Sequence, residues 1–344
     1  MRAAMYHHHG GPEVLAIEDV RDPTPGPLDV VVAVAFTALN RLDVVQRNGW
    51  YTLPGFTLPH IAGMDVAGTI VFVGDEVDGL TPGDRVVVDP SLAGVSEGSK
   101  LAGRGDLYGE LGVIGATVDG GYAELCLAPA SHVFHVPEHV SLEEAATFPT
   151  CHLTASHGLF EVGRLAAGET VLVHAAGSGM SIAAIQLAAR AGATVIATAG
   201  TAAKLEHAVA LGAAHVLNNR TDDVLQWVRE ITDGRGVDLV FDHVGTALFE
   251  PSLFALATHG RLVTCGNTSG DVATIPSLGF VFHQAISILG CGPYEPHEFR
   301  PAWEHFCTEH FAAVIDSIQP LEEVPHAQER MQHNELIGKI LVRP

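Results

Sequence analysis

From about residue 139 to residue 290, short β-branched runs alternate with helical stretches of roughly ten residues, and that rhythm constrains the fold more than any other feature of the chain. Ser141 and Glu144 have capping-box spacing ahead of an Ala-rich helix. The pattern then predicts a strand at 170–174, a helix at 181–191, a strand at 194–198, a helix at 202–211 and a short strand at 214–217. A helix at 221–232, a strand at 237–242, a helix near 249–257 and strands at 260–265 and 287–290 complete the series. Strands joined by helical crossovers run parallel, and a parallel sheet needs cover on both faces. A doubly wound α/β domain over 137–293 follows.

The sharpest local signal inside that domain is the run from Val171 to Ile182, where an apolar strand meets glycines and a helix begins at once. Gly177 and Gly179 permit a tight turn in which backbone amides approach a pyrophosphate, and the helix N-terminus adds its dipole. Gly177, Ser178, Gly179 and Met180 are therefore candidate cofactor contacts. Ile182 holds the place of the third glycine, with Ser181 beside it, and a purely structural turn is the competing reading. The residue that reads the adenosine ribose is expected about 20 positions on. There the chain reads Ala197-Thr198-Ala199-Gly200-Thr201, without the Asp or Glu that would bind a ribose 2′-hydroxyl and repel a 2′-phosphate. With Gly200 and Thr201 at the strand end, Lys204 one turn into the helix and Arg220 after the next strand, the pattern favours NADP(H) over NAD(H). The alternative is that both cations are ordinary solvated side chains.

The first 136 residues have a different texture. Runs at 30–34, 68–73 and 85–88 are β-branched and are broken by Pro23, Pro25, Pro27 and a Pro82-Gly83-Asp84 turn. After about residue 294 a helix and a final strand at 338–342 return the chain to this part. Eighteen basic against 40 acidic residues give a formal charge of -22, which repels polyphosphate polymers and anionic membranes, so neither nucleic acid nor membrane is an expected partner. No apolar run approaches the ~20 residues of a spanning helix. The N-terminus lacks a secretory pattern, and Cys126, Cys151, Cys265, Cys291 and Cys307 are scattered with no zinc-knuckle spacing. A reducing, cytoplasmic setting is the expectation.

Several segments together resemble the medium-chain dehydrogenase/reductase superfamily, in its quinone-oxidoreductase-like branch. They are Gly10-Gly11-Pro12-Glu13-Val14-Leu15; Asn40, Asp43, Arg47, Gly49 and Tyr51; Pro59 with Gly63-Met64-Asp65 and Gly68; Pro82 to Val86; Gly120 to Glu124; and Gly338-Lys339-Ile340. The resemblance covers nearly the whole chain. It implies a GroES-like β domain over 1–136, completed by 294–344, a Rossmann domain, and a cleft between them for the nicotinamide. It also marks departures. Where the zinc-dependent relatives carry Cys, His and Cys around a catalytic metal, this chain has Asn40, Met64 and Thr150. Amide, thioether and alcohol are poor zinc ligands. Gly94, Glu97, Lys100 and Tyr108 stand where a structural-zinc lobe would have its four cysteines. No zinc is expected, although Cys151, His152 and His157, near Asp65 in the implied fold, are the candidates for a displaced metal.

A metal-free site loses the Lewis acid that stabilises an alkoxide, so reduction of a quinone or activated enone is easier than alcohol oxidation. The resemblance places Asn40, Asp43, Arg47 and Tyr51 at the cleft. Tyr51 is the expected proton or hydrogen-bond donor to the developing oxyanion and Asn40 the second donor, while Asp43 and Arg47 read as a structural ion pair. Thr154 is implied to touch the nicotinamide, and the loops at His243-Val244, Gly266-Asn267 and Leu289 to Cys291 to close over the cofactor. The expectation is an NADPH-dependent, zinc-independent oxidoreductase acting on a small-molecule quinone or enone. A metal-dependent alcohol or aldehyde dehydrogenase and a dinucleotide-binding module with little turnover remain open. The apolar strand at 286–290 and the resemblance together imply a homodimer.

Overall fold

The computed structural model describes residues 1–102 and 112–344. The chain divides into two compact units, Met1–Thr150 with Glu295–Pro344, and Cys151–Tyr294.

The first unit is built around the long strand Asp29–Ala38, whose inward residues Val30, Val32 and Val34 alternate with the other face. One edge pairs antiparallel with Asp65–Val73, which in turn pairs with Arg85–Val88 and then Val133–His135. The other edge is shared. Leu125–Pro129 pairs with its first half, and the C-terminal strand Lys339–Arg343 pairs with Thr37 and Ala38. That last pairing seats residue 339 beside residue 40. A small antiparallel sheet of Ala16–Asp19, Arg2–Tyr6 and His60–Ile61 covers a second core with Leu39, Val44, Tyr122, Val324 and Ile340. Residues 137–150 also belong to this unit, not to the domain the sequence pattern starts at 137, because helix Leu142–Thr147 packs on Asp29–Ala38, Asp65–Val73 and Arg85–Val88. Ser141 does cap that helix, its hydroxyl accepting from the Glu144 amide at 3.1 Å.

The C-terminal tail holds more structure than one helix and one strand. Beyond helix Phe299–Glu309 come strand Ile315–Pro320 and helix Val324–Gln332. The latter buries Val324, Ala327, Gln328 and Met331, a stripe at helical spacing that is hard to read because half of it is not strongly apolar.

The second unit is a six-stranded parallel sheet ordered His215–Asn218, Thr194–Ala199, Thr170–Val173, Val237–Asp242, Leu256–Thr264 and Ser287–Gly290. The chain starts in the middle, winds outward to one edge, returns beside its start and winds to the other. The reversal falls between Thr170–Val173 and Val237–Asp242, the point at which such sheets bind ligands beyond their strand C-termini. Leu172, Ile196, Val240 and Leu262 line its buried core. Helix Gly179–Arg190 starts two residues before the sequence estimate, and Leu256–Thr264 starts four before, directly where helix Thr246–Ala255 stops.

Candidate active site and cofactor cradle

The phosphate loop is built by its own hydrogen bonds. Ser178 is the N-cap of Gly179–Arg190, its hydroxyl accepting from the Ser181 amide at 3.1 Å, while the Ile182 amide bonds the Ser178 carbonyl. Gly179 and Met180 lie in the first helical turn, where no preceding turn supplies an acceptor for their amides. The Ser181 hydroxyl lies 2.6 Å from the His174 carbonyl at the end of strand Thr170–Val173. This hydroxyl, one residue before the place of the third glycine, ties strand to helix.

Two glycines in this unit show what lies over the loop. A Cβ added at Gly177 would fall 2.6 Å from Cδ of Lys204, and one at Gly200 would fall 2.5 Å from Nε of Arg220. Lys204 therefore lies across the phosphate loop and Arg220 across the end of strand Thr194–Ala199, with Thr201 capping the helix that carries Lys204. Arg220 is exposed, and among the described residues no ion pair holds its guanidinium. These residues fit a dinucleotide with a 2′-phosphate: amides for the pyrophosphate, two cations for the extra phosphate, and no carboxylate at the strand end.

The loops beyond the next strands are laced together. The Ser269 amide donates to the Val244 carbonyl at 2.8 Å, and the Thr268 hydroxyl donates to the His243 carbonyl at 3.3 Å. Asp242, fully buried, accepts from the Val244 amide at 2.7 Å, and a Cβ at Gly266 would meet the His243 carbonyl oxygen at 2.9 Å. Asn267 closes the turn to Gly270, and the Cys291 amide donates to the Thr264 carbonyl just past Leu289. His243, Val244, Gly266, Asn267, Met180 and Cys291 thus all belong to this end of the sheet; Met180 Sδ and Cys265 Sγ are 3.6 Å apart. Thr154 is half-buried on helix Pro149–Ser156.

In the first unit the positions compared with a zinc site are joined by a different group. Lys339 Nζ donates to Asp65 Oδ2 at 2.9 Å and to Asn40 Oδ1 at 2.7 Å. Asn40 Nδ2 donates to the same Asp65 oxygen at 2.9 Å, and the Thr150 amide and hydroxyl both donate to Asp65 Oδ1, at 2.9 and 2.6 Å. Asp65 is fully buried and Lys339 nearly so. The donor set does not fit zinc. The Asn40 oxygen faces an ammonium, the Thr150 hydroxyl is committed to a carboxylate, and Met64 offers only a thioether. Among the described residues, no three His, Cys, Asp or Glu side chains are grouped to hold a metal. Of the lobe residues, Gly94, Glu97 and Lys100 are described; Tyr108 lies outside the described residues.

This geometry bears on two expectations. Asn40 caps helix Arg41–Arg47, and in this structure its side-chain N–H groups go to Asp65 and, at 3.4 Å, to the Ala38 carbonyl, so it links elements of the fold. Asp43 and Arg47 do not form an ion pair among the described residues. Asp43 accepts from the Asn40 amide at 2.8 Å and the Tyr122 hydroxyl at 2.6 Å, whereas fully buried Arg47 donates to the Gly10 carbonyl and to Gln328. Burial lifts the Asp43 carboxyl to about 6 against the opposing pull of those two donors. Tyr51 stands apart from this network, 56% exposed beside the still more open Trp50. Lys339 and Asp65 sat in recognisable motifs, but 274 residues separate them, and only the pairing of the final strand with Thr37 and Ala38 brings them together.

Comparison with known proteins agrees with this architecture. Residues 26–138 match the model of the alcohol dehydrogenase GroES-like domain, and residues 179–308 that of zinc-binding dehydrogenases. A quinone oxidoreductase of Pseudomonas aeruginosa is 33% identical over 78% of this chain and 74% of its own length. A crystal structure of an NAD-dependent alcohol dehydrogenase superposes with a TM-score of 0.92 at 38% identity, covering 100% of both chains. The quinone oxidoreductase of Escherichia coli in complex with NADPH superposes with a TM-score of 0.85 at 27% identity, again over 100% of both. The chain is an oxidoreductase and belongs to the medium-chain dehydrogenase/reductase superfamily, in its quinone-oxidoreductase-like branch.

Proposed function

We propose that the protein is an NADPH-dependent reductase that passes hydride to a quinone or an activated enone without zinc. The observation that carries the cofactor choice is the pair of cations, Lys204 over Gly177 and Arg220 over Gly200, at a strand end without a carboxylate. When bound, NADPH supplies the hydride. The chain's own part is to hold the pyrophosphate on the Gly179 and Met180 amides and the 2′-phosphate between Lys204 and Arg220, and to close over the cofactor with Thr154, His243, Val244, Gly266, Asn267, Leu289 and Cys291. Tyr51 supplies a hydrogen bond or proton to the oxygen of the reduced acceptor. Conjugation already makes the acceptor carbon electron-poor, so the reaction does not require the Lewis acid that the Asn40, Met64 and Thr150 set is unsuited to hold.

The proposed assembly is a homodimer through the exposed edge strand Ser287–Gly290, with open side chains Leu278 and Phe282 just before it in sequence. An unpaired apolar edge of this kind invites strand addition by a second copy. The likeness to an NAD-dependent alcohol dehydrogenase favours a second reading, oxidation of an alcohol with NAD. One assay separates them: initial rates with NADPH or NADH against a series of quinones and enones, and with NADP or NAD against alcohols. Turnover confined to alcohols and NAD would overturn the proposal.

A further inference from the structure

His243 follows strand Val237–Asp242, and Ser178 and Ser181 follow strand Thr170–Val173, so the two groups face each other across the reversal of strand order. Their contacts determine where the hydrogens are. The Ser181 hydroxyl lies 2.6 Å from the His174 carbonyl, which can only accept, so its single hydrogen points there. His243 Nε2 lies 2.7 Å from that same Ser181 oxygen, a distance that requires a hydrogen between them. The ring nitrogen must therefore carry it. Ser178 Oγ accepts from the Ser181 amide, lies 3.0 Å from Ser181 Oγ and 3.1 Å from His243 Nε2, and so donates to Ser181 while accepting from the ring. The imidazole is 8% exposed and its backbone is anchored by Thr268, so it cannot drift from this position cheaply.

We propose that His243 is a positioning residue for cofactor binding: its Nε2–H, shared by Ser178 and Ser181, holds the N-cap of helix Gly179–Arg190 so that the dinucleotide's pyrophosphate meets backbone amides and not hydroxyl lone pairs. Without the imidazole donor, the Ser178 hydroxyl loses the partner that keeps its oxygen turned inward. It can then leave its capping rotamer and present a lone pair to an anion. The link also fastens the two halves of the doubly wound sheet at the floor of the ligand crevice, which a contact within either half could not do. This inference rests on the cofactor reading above, and it assigns His243 an action through the loop instead of a contact with substrate.

The test compares dissociation constants for NADPH and for adenosine 2′-monophosphate, which has the 2′-phosphate but no pyrophosphate, in wild type, His243→Leu, His243→Gln and Ser181→Ala. A glutamine amide carries an N–H at about the reach of the imidazole Nε2. His243→Leu is expected to weaken NADPH about tenfold, on the scale of one lost buried hydrogen bond, with the monophosphate unchanged. His243→Gln should stay within about twofold of wild type, and the His243→Leu and Ser181→Ala effects should fall well short of additive. Circular dichroism establishes that each variant is folded. NADPH binding unchanged in folded His243→Leu, or equal weakening of both ligands, overturns the positioning role. A wild-type protein that binds neither NADPH nor NADH overturns the cofactor reading and this inference with it.

Discussion

Lys339 and Asp65 are buried together, and removing either one leaves a full buried charge with only neutral polar partners, the Asn40 and Thr150 groups. Breaking such a pair typically costs about 3–5 kcal/mol, whereas neutralising both partners costs far less. Lys339→Met is therefore expected to lower unfolding free energy by that amount in urea, and Lys339→Met with Asp65→Asn to restore most of it. Equal stability of the single and double variants would show that the pair is not coupled. Tyr51 is the opposite case, an exposed side chain whose removal should spare the fold. Tyr51→Phe is expected to cut quinone turnover on the order of a hundredfold with an unchanged melting temperature. Turnover at the wild-type level would move the donor role to another residue. Lys204→Ala should weaken NADPH about tenfold, or ~1.4 kcal/mol, and leave NADH nearly unchanged. The ratio of the two dissociation constants is the measurement, and a ratio equal to wild type would assign selectivity to the amides near Gly200 and Thr201.

The strand Thr170–Val173 and the segment after it show how an element can carry polar groups through a core. His174 is fully buried, with Nδ1 2.9 Å from the Thr198 hydroxyl and Nε2 2.9 Å from that of Ser252. Ser252 donates to the Leu248 carbonyl, so it accepts from the ring, and Thr198 donates to the other nitrogen. The ring is thus neutral and satisfied, and burial, with a smaller contribution from the charge of His243, pushes its pKa down from 6.5 to about 3. The folded state resists a proton that the unfolded chain accepts below 6.5. This stabilisation is complete above that pH and is lost as the pH falls toward 3. Unfolding free energy should drop steeply between pH 6 and pH 4, and His174→Gln should remove about 1.4 kcal/mol per pH unit of that slope. A variant with the wild-type slope would mean that other groups carry the acid sensitivity.

At the scale of the molecule, the formal charge of -22 opposes an anionic cofactor. Attraction at the loop therefore depends on cations within about one Debye length, ~8 Å at physiological salt, which is where Lys204 and Arg220 lie relative to Gly177 and Gly200. The residues at the positions compared with a zinc site come from three separate segments, and the fold ties Asn40 and Thr150 to Asp65. Purified protein is expected to contain well under one zinc per chain and to keep its activity in a chelator. Close to one zinc per chain, lost together with activity, would overturn this and make Cys151 and His152 the first positions to mutate.

Local rules read most of the second unit from the sequence alone. Alternating strand and helix patterns, the glycines at 177 and 179 and the missing carboxylate near 200 each depend on residues close in the chain. The strand boundaries of 237–242 and 287–290 came out as read because turns bracket them tightly. What only the tertiary structure decided depends on long-range pairing. The C-terminal strand adds to residues 37 and 38, and this makes Asn40 an acceptor for Lys339. Two βα units meet at the strand reversal, and this turns His243 from one loop residue among several into the partner of Ser178 and Ser181. Periodicity and spacing describe a face or a turn, whereas a buried polar side chain takes its role from whichever distant group supplies the hydrogen or charge it lacks in the core.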